Sequence, residues 1–188
     1  MRAATLASAL GGLAAVNAIS TISIKGSKFF LEDGNQFFVR GKTHPSPPLD
    51  DRCANSFSLG VAYQLSPDDP LVDNTQCSLD AKLMKSLGAN SIRVYHVDPS
   101  AKHDDCMKTF EDAGIYLWLD LDTFTSQINQ DAPMWNQTQL EAFQGVMDSF
   151  HQYDNLAGFF VGNEVVTKRA SPLLSYRLFN HRDILTAC

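Results

Sequence analysis

An α/β fold with parallel strands is what this sequence predicts. Amphipathic stretches of helical period alternate with short apolar runs between Leu79 and Val161, and the polar residues of that region gather just after the runs. At 188 residues the chain is shorter than the ~250 of a complete (β/α)8 TIM barrel. The expected architecture is the N-terminal half of such a barrel, strands one to four, preceded by a β-hairpin.

Met1-Arg2 gives a positive start, Ala3 to Val16 is a short Ala- and Leu-rich run, and Val16-Asn17-Ala18 places small residues at a cleavage position. Residues 1–18 therefore read as a secretory signal peptide. Phe29-Phe-Leu31 and Gln36-Phe-Phe-Val39 flank Asp33-Gly34, the pattern of a hairpin. Residues 42–59 carry Pro45-Ser-Pro-Pro48-Leu-Asp-Asp51 and show neither period. They interrupt what would be strand one and are expected to form an exposed loop.

Leu79, Leu83 and Leu87 recur at helical spacing, with Ser78 as a candidate cap and Gly88 as a left-handed stop. The strand Ser91-Ile-Arg-Val-Tyr95 follows. Met107, Phe110 and Ala113 mark a second helix, opened by the polar turn His103-Asp-Asp-Cys106 and closed by Gly114. Ile115 to Leu121 is the next strand. Leu140, Phe143, Val146, Met147 and Phe150 mark a third helix with a Thr138-x-x-Glu141 capping box, before the strand Ala157 to Val161. Residues 19–167 thus form the folded domain, and residues 168–188 a tail of different character.

A net charge of −6, a pI near 5.2 and no Lys or Arg stripe exclude a nucleic-acid backbone as partner and favour a neutral substrate. No segment after the signal reaches the ~18 apolar residues of a membrane helix. No nucleotide fingerprint, phosphate loop or Gly-x-Ser-x-Gly elbow is present, and the five histidines lack ligand spacing. Neither a cofactor nor a metal is expected. Cys53, Cys77, Cys106 and Cys188 allow three pairings in an exported chain, and spacing does not choose among them. Asn136-Gln137-Thr138 is the single glycosylation sequon.

Tyr95, His96 and Asp98 follow the second strand, Asp120 and Asp122 end the third, and Asn163 and Glu164 end the fourth. All lie at carboxyl ends of parallel strands, the face on which barrel active sites are built. Glu164 follows an apolar strand and sits beside a carboxamide, a setting for acid–base catalysis more than for a solvated loop. Asp120 suits a loop cap as well as a sugar contact, Asp122 suits a cap better, and Tyr95 suits a strand-end aromatic as well as a binding role.

Taken in order, Phe37-Phe-Val-Arg-Gly41, Gly60-Val-Ala-Tyr-Gln64, Ser91-Ile-Arg-Val-Tyr95 with Asp98-Pro99, Tyr116-Leu-Trp-Leu-Asp120 and Gly158-Phe-Phe-Val-Gly-Asn-Glu164-Val-Val resemble the fungal β-1,3-glucanosyltransferases of glycoside hydrolase family 72. The resemblance covers roughly residues 22 to 167. It implies a retaining barrel that cuts β-1,3-glucan and passes the new reducing end to another glucan. By that resemblance Glu164 matches the general acid/base and Asn163 the neighbour that binds the sugar 2-hydroxyl. Gln64, Tyr95 and Asp120 match positions lining the sugar sites, and Cys77 and Cys106 match the family's disulfide.

The family's nucleophile is a second Glu on a later strand, so the chain is expected to be an inactive fragment. In the family, Arg-Gly runs almost directly into Val-Ala-Tyr-Gln. The segments 42–59 and 168–188 are accordingly read as translated intron sequence, with a genuine insertion loop and a natural short isoform as the less economical alternatives. The resemblance also implies a secreted or cell-surface location, with a GPI anchor in full-length members but no anchor signal here. Two rivals remain: a β-glucan hydrolase of the same barrel type, and a non-catalytic glucan-binding protein using Tyr95 and Trp118 as stacking surfaces.

Overall fold

The computed structural model describes residues 19–40, 60–64, 69–123, 125–163 and 165. The expected signal peptide, the 42–59 segment, the tail, Cys53, Cys188 and Glu164 all lie outside them.

The chain first builds a three-stranded antiparallel sheet, β1 (Ile22–Lys25), β2 (Lys28–Leu31) and β3 (Gln36–Phe37), in that spatial order. The β2–β3 hairpin is the one the sequence predicts, and Gly34 takes a φ of 84° at its turn, where a side chain would be strained. β1 pairs with β2 and is an addition to that expectation.

A second sheet follows, of four parallel strands in the order β4 (Val61–Tyr63), β5 (Ser91–Val94), β6 (Tyr116–Asp120) and β7 (Leu156–Phe160). The helices α1 (Asn74–Ser86), α2 (Asp104–Asp112) and α3 (Gln137–Phe150) connect successive strands. Sequential parallel strands with helical crossovers are the first half of a (β/α)8 barrel, as the alternation predicts.

One face of this sheet, carrying Ile92, Val94, Leu117 and Leu119, is fully buried. It packs with Met107 and Phe110 of α2 and with Phe143, Val146 and Phe150 of α3, in one cluster. Each such side chain contributes roughly 1.5–3 kcal/mol on burial. The disulfide Cys77–Cys106 joins α1 to α2 within the core, as the family resemblance implies.

Helix α1 departs from the sequence reading. Asp73 is its N-cap, accepting from the backbone N–H of Thr75 at 2.9 Å, and Ser78 lies inside the helix. Cys77, Ala81 and Met84 are buried, whereas Leu79, Leu83 and Leu87 are 58, 59 and 46% exposed. The leucine stripe has the right period and faces outward. At α3 the cap also lies earlier than expected, by two residues: Asn136 accepts from Thr138 N at 2.9 Å, and Glu141 is held by Gln137 instead of closing a capping box.

The antiparallel sheet covers the amino-terminal ends of the parallel strands. Phe29 meets Trp118 edge-on with centroids 5.3 Å apart, and Phe37 meets Tyr116 at 5.0 Å. Asn90, just before β5, accepts from Arg40 N at 2.6 Å and donates through Nδ2 to Phe38 O at 2.9 Å.

Candidate active site at the carboxyl ends of the parallel strands

At the opposite end, each parallel strand delivers polar residues to one cleft of about 140 Å³. Gln64 follows β4, Tyr95 and His96 follow β5, Asp120 and Asp122 come from the end of β6, and Asn163 follows β7. Thr123 and Gln127 of the connection after β6 complete the wall. Four predicted sugar-site residues, Gln64, Tyr95, Asp120 and Asn163, are thereby brought together.

Arg93 organises the cleft. It shares a sheet face with Tyr95, two positions on, and points away from the helix-covered core. Its Nε donates to Asp120 Oδ1 at 2.8 Å and its Nη2 to Asp120 Oδ2 at 2.7 Å, a bidentate bond to a carboxylate with no exposed side-chain surface. Nη2 also donates to Asn163 Oδ1 at 3.1 Å. The guanidinium lies 4.5 Å from the ring centroids of both Tyr95 and Phe160.

Burial pushes the Asp120 carboxyl above its ordinary value, and the two Arg93 bonds oppose that push. The same bonds hold the Arg93 guanidinium above its own ordinary value. Asp122 is also raised, chiefly by burial, with a bond from Asn163 N opposing it and the Asp120 charge adding to it. That bond is long, 3.4 Å to Oδ2. Asn163 is thus gripped at its side chain by Arg93 and at its backbone by Asp122, immediately before Glu164.

Asp69 steadies the wall from outside. Its Oδ2 accepts from Asp98 N at 2.7 Å and lies 2.7 Å from Nε2 of the buried His103, tying the approach to α1 to the loop that carries Tyr95 and His96. Trp118 is only partly available: Nε1 donates to Ser91 Oγ at 2.7 Å, and the ring lies against β7, where a Cβ on Gly158 would stand 3.0 Å from it. An apolar cavity of about 650 Å³, lined by Phe29, Ala62, Trp118 and Phe160 among others, shares Tyr95 with the cleft. Among the described residues, no three of the His, Cys, Asp and Glu side chains form a group that could hold a metal ion.

Residues 12–177 match the family model for glycoside hydrolase 72, described as glucanosyltransferase. The chain belongs to this family. Within it, the 1,3-beta-glucanosyltransferase gas2 of Schizosaccharomyces pombe is 39% identical over 170 residues, covering 89% of this chain and 34% of that protein. The 1,3-beta-glucanosyltransferase GAS5 of Saccharomyces cerevisiae is 40% identical over 149 residues, covering 78% and 28%. Among solved glucanosyltransferase structures, Saccharomyces cerevisiae Gas2p in complex with laminaripentaose superposes with a TM-score of 0.68 at 34% identity, over 80% of this chain and 32% of that one. The chain spans about a third of the length of these family members.

The sequence reading named the motif Ser91 to Tyr95 but gave Arg93 no role. A charged residue one strand period before Tyr95, in a largely buried strand, was the available signal.

Proposed function

We propose that this chain is the front portion of a β-1,3-glucanosyltransferase of fungal cell-wall remodelling, with Glu164 as general acid/base. The supporting observation is the Arg93–Asn163 bond: it turns the Asn163 carbonyl oxygen toward the guanidinium and leaves the amide NH2 for a ligand acceptor. Asn163 then binds the sugar 2-hydroxyl beside Glu164, and Gln64, Tyr95 and Asp120 line the glucosyl sites.

A retaining cleavage needs an acid to protonate the leaving oxygen and a nucleophile ~5 to 5.5 Å from it. Asp120 is committed to Arg93 at both oxygens, and Asp122 comes from the same neighbouring strand. In this reading the nucleophile is the carboxylate that the family places on a later strand, and these 188 residues alone neither cleave nor transfer. Tyr95 serves as the stacking surface for glucan.

The chain is secreted or held at the cell surface. Among the described residues no helix is long and apolar enough to cross a membrane. Asn136 is exposed and uses Oδ1 for its cap bond, so its Nδ2 is open to glycosylation.

The test is product sizing on a laminari-oligosaccharide with this sequence restored to the full length of its relatives. Products longer than the substrate support transfer, and shorter products alone would favour the hydrolase. Glu164→Gln in that protein should abolish turnover of unactivated glucan yet spare binding, since the amide cannot donate the catalytic proton. Cleavage by the 188-residue chain would overturn the assignment of the nucleophile.

A further inference from the structure

Asp122 is a buried residue of the cleft whose bonding is incomplete. It is 6% exposed, and among the described residues its Oδ1 is the buried side-chain polar atom with no hydrogen-bond partner in the protein. The other oxygen accepts a long 3.4 Å contact from Asn163 N. Leaving a buried carboxylate oxygen unpaired is costly, and such an atom in a polar cleft marks a place where a ligand donor belongs.

The chemistry of the donor is constrained by the neighbours. An ionised carboxylate only accepts, so the ligand must present an O–H or N–H. Arg93 already neutralises Asp120, so among the described residues the wall offers a cation one carboxylate and no set of three ligating side chains. Gln64 and the side-chain NH2 of Asn163, whose Oδ1 is taken by Arg93, supply donors in the same cleft as the Asp122 acceptor. A neutral polyol, whose hydroxyls both donate and accept, satisfies all of these groups together.

We propose that Asp122 is a further sugar-binding residue, whose Oδ1 accepts a hydrogen bond from a hydroxyl of the glucosyl unit entering the cleft. This rests on the glucan reading above and adds to it a contact that discriminates by hydroxyl. Burial holds its carboxyl above the ordinary value, which agrees with a carboxylate lacking compensation in the free protein.

Laminaripentaose is titrated calorimetrically into the 188-residue chain and into its Asp122→Asn and Asp122→Ala variants, with Asp148→Asn on the exposed side of α3 as control. Near-UV circular dichroism and the intact Cys77–Cys106 bond report folding. Asn keeps the shape and can still accept from Asn163 N, but it turns an NH2 donor toward the ligand. Both Asp122 variants should therefore bind about tenfold more weakly or worse, as for loss of a hydrogen bond to a charged group. The control should bind as the wild type does. Across monodeoxy laminaritrioses, the wild type should penalise one position that Asp122→Ala no longer penalises. Unchanged affinity in a folded Asp122→Asn chain overturns this proposal alone. Absence of binding by the wild type overturns the glucan reading and this proposal with it.

Discussion

Arg93 donates to Asn163 at 3.1 Å across the intervening strand β6, while the same guanidinium closes both oxygens of Asp120. One side chain thus couples a buried charge to the residue preceding Glu164. Arg93→Met leaves the Asp120 carboxylate buried without its cation. The expected loss is about 3 kcal/mol, the low end of the range for a broken buried pair, because 28% of the Arg93 side chain is exposed. Arg93→Lys should recover part of this, since an ammonium cannot reproduce the two parallel bonds. Urea denaturation measures both, and a loss under about 1 kcal/mol in the Met variant would mean that Asp120 is compensated elsewhere.

The Cys77–Cys106 bond closes a segment with a sequence separation of 29 and fastens α1 to α2. Reducing it should lower stability by about 3 to 4 kcal/mol in the chain-entropy account. Thermal melts with and without reductant read this directly. Coincident curves would show that the bond adds nothing to the native fold.

Asp122 should give the chain a pH signature. Burial holds its folded carboxyl above the ordinary value, so ionisation costs more in the folded chain than in the unfolded one. Its contribution is fully present below the ordinary carboxylate pKa and is lost as pH rises through the raised folded value. Asp122→Asn removes that loss while Asp120, Arg93 and His96 stay as they are. The variant should match the wild type at about pH 3 and exceed it progressively toward pH 7. A stability difference independent of pH would contradict this.

The leucines of α1 offer a contrast. Leu79→Ser, Leu83→Ser and Leu87→Ser should each change the stability of this chain by no more than about 0.5 kcal/mol, because all three side chains face outward. Met84→Ala on the same helix should cost about 2 kcal/mol or more. Equal losses at Leu83 and Met84 would mean that the outer face is covered.

These residues show what was legible beforehand. The strands around Ile92, Leu117 and Phe159 were readable because parallel strands buried between layers are apolar throughout. Gly88 and Gly114 marked helix ends because their φ values of 73 and 74° suit glycine. The leucine period identified a helix, yet its buried side is Cys77, Ala81 and Met84, two of them small and weakly apolar, so periodicity alone chose the wrong face. The helix start was misplaced because Asn74, Thr75 and Gln76 make a polar, largely exposed first turn that carries no apolar period. The cleft was legible as a list of strand-end residues. The role of Arg93 was not, since its partners lie 27 and 70 residues along the chain.

The anchoring around Asn90 bears on how this chain accommodates extra length. Arg40 is tied to Asn90 by two backbone-amide bonds, from Arg40 N to Oδ1 and from Asn90 N to Arg40 O at 3.1 Å. Gly60 lies against the next residue, where an added Cβ would stand 2.9 Å from Ser91 O. Both flanks of residues 41–59 are therefore pinned at adjacent positions at the start of β5. Between two such fixed posts, the entropy of closing a loop costs only about 0.6 kcal/mol more for each doubling of its length. The pairing of Tyr63 with Val94 is therefore expected to tolerate residues gained or lost between the posts.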